Sequence, residues 1–95
     1  DVYKRQAVIA ADDLDHAIEL ANNSDFGLGA SVWTNRTEGL EAIAARLDVG
    51  HVAFNGIVKS DPRLPFGGVK DSGYGRELSR HGLLEFVNRK AVWIR

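Results

Sequence analysis

The residues with the most chemical content lie close together. Residues 56–76 (GIVKSDPRLPFGGVKDSGYGR) hold both prolines and five of the ten glycines of this 95-residue chain. Just before them Asn55 presents an amide where a strand is expected to end. Ser60 opens a Ser-Asp-Pro turn flanked by Lys59 and Arg63, and Phe66 stands between Pro65 and the pair Gly67 and Gly68. Proline fixes φ and glycine permits positive φ, so Phe66 can be projected rigidly into a neighbouring cleft. An aromatic wall with a few polar groups is the make-up of a small-molecule pocket. A purely structural loop is the competing reading, but a stretch this long and this particular in composition is no default connector.

Other chemistries fit less well. The five serines and three histidines form no G-x-S-x-G elbow, and the surroundings of Ser72 lack the apolar strand-turn-helix frame that elbow needs. His16, His51 and His81 are 35 and 30 residues apart, without H-x-x-x-H or H-E-x-x-H spacing, so they read as surface or satisfied histidines and no metal is expected. FGGVKDSGYG faintly resembles a phosphate loop with Lys70 near its glycines, but it has no Gly-Lys-Ser/Thr junction, and a tight structural loop accounts for it better.

These residues must be positioned by regular elements. Residues 6–10 (QAVIA) read as a strand, followed by acids at Asp12, Asp13 and Asp15 that suit a helix start. Leu14, Ala17, Ile18 and Ala21 share one helical face, which Asn22 and Asn23 then end. Residues 29–34 (GASVWT) read as a second strand. Asn35 and Glu38 offer a capping-box-like start to a helix whose apolar face is Leu40, Ile43, Ala44 and Leu47. Gly50 suits the position after a helix end, and residues 51–55 (HVAFN) read as a third strand. The order β-α-β-α-β makes this an α/β chain with parallel strands, in which ligands gather beyond the carboxyl ends of the strands. Residues 77–86 can form a short helix. Val87, Val92, Trp93 and Ile94 then favour a terminal strand, whose open edge would need a partner.

Composition sets the outer limits. A chain this short buries only about 60 to 65% of its unfolded surface, and with no cysteine it has no disulfide, thiolate metal site or thiol nucleophile of its own. No apolar run approaches the roughly 20 residues that span a bilayer, so a soluble, cytoplasmic protein with no membrane partner is expected. Residues 1–55 carry 4 basic and 9 acidic side chains, and residues 56–95 carry 8 and 4, so an anion belongs in the later part. Those cations are dispersed among acids and match no nucleic-acid motif, so no nucleic-acid partner is expected.

Three stretches carry a specific resemblance: residues 20–34 (LANNSDFGLGASVWT), 50–55 (GHVAFN) and 64–94 (LPFGGVKDSGYGRELSRHGLLEFVNRKAVWI). In that order they resemble the C-terminal part of the NAD(P)-dependent aldehyde dehydrogenase superfamily. The loop SDPRLPFGGVKDSGYGRELS is most similar to that of bacterial succinate-semialdehyde dehydrogenases. The resemblance implies a mechanism in which a cysteine thiolate attacks the aldehyde, hydride passes to the nicotinamide of NAD or NADP, and a glutamate-activated water releases the acid. An asparagine and the cysteine amide hold the oxyanion. None of those groups, and no cofactor-binding residue, maps onto this chain, so the resemblance implies an inactive fragment.

What maps is a wall of the substrate tunnel. Asn55 matches a strand-end asparagine behind the nucleophile, and Phe66 matches an aromatic beside the reacting carbon. Ser60 falls where the succinate-semialdehyde enzymes place a serine on the distal carboxylate, with Lys59 and Arg63 either adding to that field or facing solvent. Residues 86–95 match an oligomerisation strand, implying a homodimer or homotetramer joined through the segment from Phe86 to Ile94. Residues 7–85 are then the C-terminal portion of the catalytic domain. Residues 1–6, which resemble translated adapter sequence, are set apart as a non-native leader. Two other readings stay open: an aldehyde dehydrogenase of different specificity, and a nonenzymatic βαβ module that binds subunits.

Overall fold

Two apolar helical faces and two short strands build the centre of the molecule. The computed structural model describes residues 5–95, so most of the expected leader, residues 1–4, lies outside the described residues. The elements are α1 (Leu14–Asn22), β1 (Phe26–Gly27), β2 (Gly29–Val32), α2 (Leu40–Arg46), β3 (His51–Phe54), β4 (Val69–Lys70) and α3 (Ser79–Leu84).

α1 starts where its acids place it. The Asp13 carboxylate accepts the His16 amide at 2.8 Å as N-cap, and Asp15 lies in the first turn, where negative charge suits the helix dipole. At its other end the Asn22 side chain bonds the chain at the end of α2. Its Nδ2 donates to the Arg46 carbonyl at 2.8 Å, and its Oδ1 accepts the Asp48 amide at 2.9 Å, which joins the ends of α1 and α2.

β2 and β3 pair in parallel, with Gly29 opposite His51 and Val32 opposite Phe54. Ile18 of α1, with Ile43 and Leu47 from and just after α2, forms the buried core, packed against Ala30, Val32, Val49, Val52 and Phe54. Alternation along each strand therefore gives one face to the helices and the other to the loop after β3. There Val58 lies so close to Gly29 that a Cβ on this glycine would sit 2.8 Å from it.

Several expectations are corrected. Of the three parallel strands, two form. Residues 6–10 take no regular structure, with Val8 98% exposed, because no neighbouring backbone of this chain reaches them. α2 does not use Asn35 and Glu38 as a cap; it begins from Gly39 at φ 72°, with no side-chain cap. Gly50 is not a left-handed helix end, since α2 closes at Leu47 in extended conformation. Gly50 is instead where the backbone of Gly67 packs, and a Cβ there would overlap the Gly67 carbonyl. The last helix is shorter than residues 77–86, because Glu77 bridges to Phe66, and Leu78 and Ser79 both have positive φ.

The terminal segment, expected as a strand, takes no strand form in the isolated chain. Phe86, Val92, Trp93 and Ile94 are all exposed there. The radius of gyration is 16.9 Å, against about 12 to 13 Å for a self-contained domain of this length. Among the described residues no helix is long and apolar enough to cross a membrane.

Candidate functional site

The site begins at the carboxyl ends of β2 and β3. Asn55 follows β3 directly, with φ 52°, a left-handed conformation that asparagine tolerates better than most residues. Its amide donates to the Val32 carbonyl at 2.8 Å, and its side-chain Oδ1 accepts the Thr34 amide at 2.8 Å. Asn55 thus ties together the ends of both parallel strands, and its carbonyl oxygen is already engaged.

Ser60 is exposed in the loop beyond, next to a turn that Asp61 organises. The Asp61 carboxylate accepts the Arg63 backbone amide at 2.9 Å, Nε at 3.0 Å and Nη2 at 2.7 Å, while its main-chain carbonyl accepts the Leu64 amide at 3.0 Å. These bonds from the Arg63 side chain and backbone hold the Asp61 carboxyl below the usual carboxylate range, and the same pairing raises the Arg63 pKa. Arg63 is therefore balanced by its neighbour rather than a free cation beside Ser60.

Phe66 is fixed on two sides. Its amide and carbonyl exchange hydrogen bonds with those of Glu77, both at 2.8 Å, and its ring leans on His51 with centroids 6.0 Å apart at 60°. One side of Phe66 lines a cleft of about 430 Å³ shared with Leu28, Ser72, Arg76 and Phe86. Neither Asn55 nor Ser60 lines it. The structure thus brings Phe66 to a cleft, and does not bring Asn55 or Ser60 to it.

The glycines after Phe66 serve close packing, not positive φ. A Cβ on Gly67 would stand 2.6 Å from the Gly75 carbonyl, and one on Gly68 2.6 Å from Cβ of Ser72. Arg76 Nη1 donates to the Gly68 and Gly75 carbonyls at 3.0 and 2.7 Å. The amides of Asp71, Ser72 and Gly73 are spent on the carbonyls of Asp25, Val69 and Lys70. Those three amides are therefore engaged within the chain rather than turned towards an anion.

Three side chains that hold this loop were not singled out from sequence as site residues: Asp61, Lys70 and Arg76. For Lys70 and Arg76 the signal is their placement, since cations within a glycine-rich stretch have many exposed carbonyls to serve; for Asp61 it is the Ser-Asp-Pro turn with Arg63 two residues on.

The family model described as the aldehyde dehydrogenase family matches residues 6–92. The chain belongs to that family. It is 57% identical over 83 residues to a probable succinate-semialdehyde dehydrogenase (NADP(+)) of Synechocystis sp., a match that covers 87% of this chain and 18% of that protein. It is 52% identical over 87 residues to a succinate semialdehyde dehydrogenase (NAD(P)+) of Escherichia coli, covering 92% and 19%. Among solved structures, the succinic semialdehyde dehydrogenase of Streptococcus pyogenes in complex with NADP+ superposes with TM-score 0.81 at 44% identity, over 86% of this chain and 18% of that one. An indole-3-acetaldehyde dehydrogenase in apo form gives TM-score 0.87 at 36% identity, over 94% and 21%. The chain therefore spans about a fifth of the length of the relatives it matches.

Proposed function

We propose that these residues form the C-terminal part of a dehydrogenase that oxidises an aldehyde bearing a distal carboxylate, such as succinate semialdehyde, to the acid. NAD or NADP accepts the hydride, and water supplies the second oxygen. The observation that carries this reading is the 57% identity, over most of the chain, to a protein named as a probable succinate-semialdehyde dehydrogenase. The nucleophilic cysteine belongs to another part of the polypeptide, since this chain has no cysteine, and the dinucleotide site is placed there with it.

In this reading Phe66 walls the tunnel beside the reacting carbon, and Asn55 holds the strand ends behind it. The Ser60 hydroxyl donates to the distal carboxylate, a charge-assisted bond of about twice the strength of a neutral one. The segment from Phe86 to Ile94 pairs with a second subunit in a homodimer or homotetramer, which acts in the cytoplasm. Burial of Trp93 and Ile94, 89% and 88% exposed in the isolated chain, would accompany that pairing.

The test is a chimera in which residues 7–92 replace the matching segment of the Synechocystis relative. Reduction of NADP is followed with succinate semialdehyde and with an uncharged aldehyde of similar length. The expected result is a folded enzyme that prefers the semialdehyde. A folded chimera that prefers the uncharged aldehyde would overturn the substrate assignment.

A further inference from the structure

Phe66 is joined to β4 through Gly67 and Gly68, whose backbone packs closely on its surroundings, so a shift of β4 is passed along the link to Phe66. Lys70 holds the far end of that link. Its backbone has φ 53°, a conformation that non-glycine residues keep only where the surroundings over-determine it. The surroundings here are the end of α1. Nζ of Lys70 donates to the Asn22 carbonyl at 2.8 Å and to the Ser24 carbonyl at 3.0 Å, and lies 3.9 Å from the Asp48 carboxylate.

α1 has no basic residue in its own last turn, so the cation its carbonyl end favours arrives from 48 residues further along the chain. The attachment continues on both sides of the lysine. Lys70 pairs with Phe26 and Val69 with Gly27, the Asp71 amide donates to the Asp25 carbonyl at 2.9 Å, and the Ser72 hydroxyl accepts the Gly27 amide at 2.9 Å. The side chain is 29% exposed, and its bonds go to main-chain carbonyls, which are geometric anchors rather than partners in proton transfer.

We infer that Lys70 is a positioning residue for Phe66: by clasping the end of α1 it fixes β4, and β4 fixes the two-glycine tether that sets the aromatic wall. The inference rests on the reading of Phe66 as part of the substrate tunnel. It accounts for a strained lysine in a stretch whose glycines are needed for packing, and it assigns the ammonium a task distinct from binding substrate charge.

A double-mutant cycle in the full-length chimera tests it. Phe66→Ala, Lys70→Met and the double variant are compared by KM for succinate semialdehyde, by kcat and by Tm. Each single change is expected to raise KM by about tenfold, and the double variant by no more than Phe66→Ala alone, because contacting or serially coupled groups are not additive. Lys70→Arg, which keeps a charged donor, is expected to recover most of the loss.

Should Lys70→Met fail to fold, Lys70→Gln passes through the same cycle. A Lys70 variant with lower Tm but unchanged KM overturns the inference, as do KM increases that simply multiply in the double variant. An unchanged KM in Phe66→Ala instead removes Phe66 from the tunnel, and the inference falls with that reading.

Discussion

Asp61 grips Arg63 with a two-pronged ion pair, Nε on Oδ1 at 3.0 Å and Nη2 on Oδ2 at 2.7 Å, and the Arg63 amide adds a third bond to Oδ1. The charges cancel within three residues, next to the exposed Ser60. A carboxylate approaching Ser60 therefore meets little net field from Arg63 while Asp61 is ionised.

The pair makes a signed pH prediction. Arg63 holds the folded Asp61 carboxyl below its ordinary 3.8, so whatever the pair contributes is fully present above that value and is lost as pH falls through the lowered one. Carbon-13 NMR of the Asp61 carboxyl should show a midpoint well under 3.8 that returns towards 3.8 in Arg63→Ala. A midpoint that does not move on that substitution would show that Arg63 is not the cause.

Gly50 and Gly39 separate two uses of glycine. Gly50 has the Gly67 backbone against it and no room for a side chain, whereas Gly39 has nothing within 4 Å but a φ of 72°. Gly50→Ala should cost about 1 to 3 kcal/mol through overpacking. Gly39→Asn should cost well under 1 kcal/mol, since asparagine tolerates the left-handed region. Thermal unfolding of the full-length chimera checks the pair. Equal losses would contradict the packing role of Gly50.

Asn55 combines a conformational and a hydrogen-bonding role, and substitutions divide them. Asn55→Gly loses the acceptor for the Thr34 amide but suits φ 52°, while Asn55→Ala loses the acceptor and also strains the backbone. The alanine variant should be the less stable by about 1 kcal/mol. Asn55→Asp keeps an acceptor and should lie nearest the parent. Stability of Asn55→Ala equal to Asn55→Gly, measured by chemical denaturation, would show that the left-handed backbone relaxes without cost.

Local signals survived the move from sequence to structure, and signals that depend on a distant partner did not. The spacing of Leu14, Ala17 and Ile18, and of Leu40, Ile43 and Leu47, marks the two helices because a helix is specified within its own turns. The parallel pairing of β2 with β3 follows from the helix between them. The antiparallel pairing of Phe26 and Gly27 with Lys70 and Val69 has no such signature, because a two-residue strand has no period. Residues 6–10 and the terminal segment have strand-like composition, but a strand exists only with a neighbour, and this chain supplies none. At the candidate site, Asn55, Ser60 and Phe66 stand out by residue type in and beside a proline- and glycine-rich stretch, and the family resemblance gives each its expected role. The clasp of Lys70 on Asn22 depends on a contact 48 residues apart that no motif encodes.

The proposed substrate class turns on Ser60. This residue is exposed, lies next to the Asp61 turn, and does not line the cleft of about 430 Å³ that Phe66 lines. If its hydroxyl donates to a distal carboxylate, Ser60→Ala removes one charge-assisted bond of about 1.5 to 3 kcal/mol, which corresponds to a rise in KM of about tenfold or more. An uncharged aldehyde of the same length has no such bond to lose, and its KM should change by less than about twofold. Ser60→Thr keeps the hydroxyl and should stay near the parent for both substrates. The comparison is made in the full-length chimera above pH 6, where both the substrate carboxylate and Asp61 are ionised, so the charge around Ser60 is the same in every variant. Equal KM changes for the charged and uncharged aldehydes would remove Ser60 from carboxylate recognition, and would leave the loop as a wall that shapes the tunnel without reading the substrate's charge.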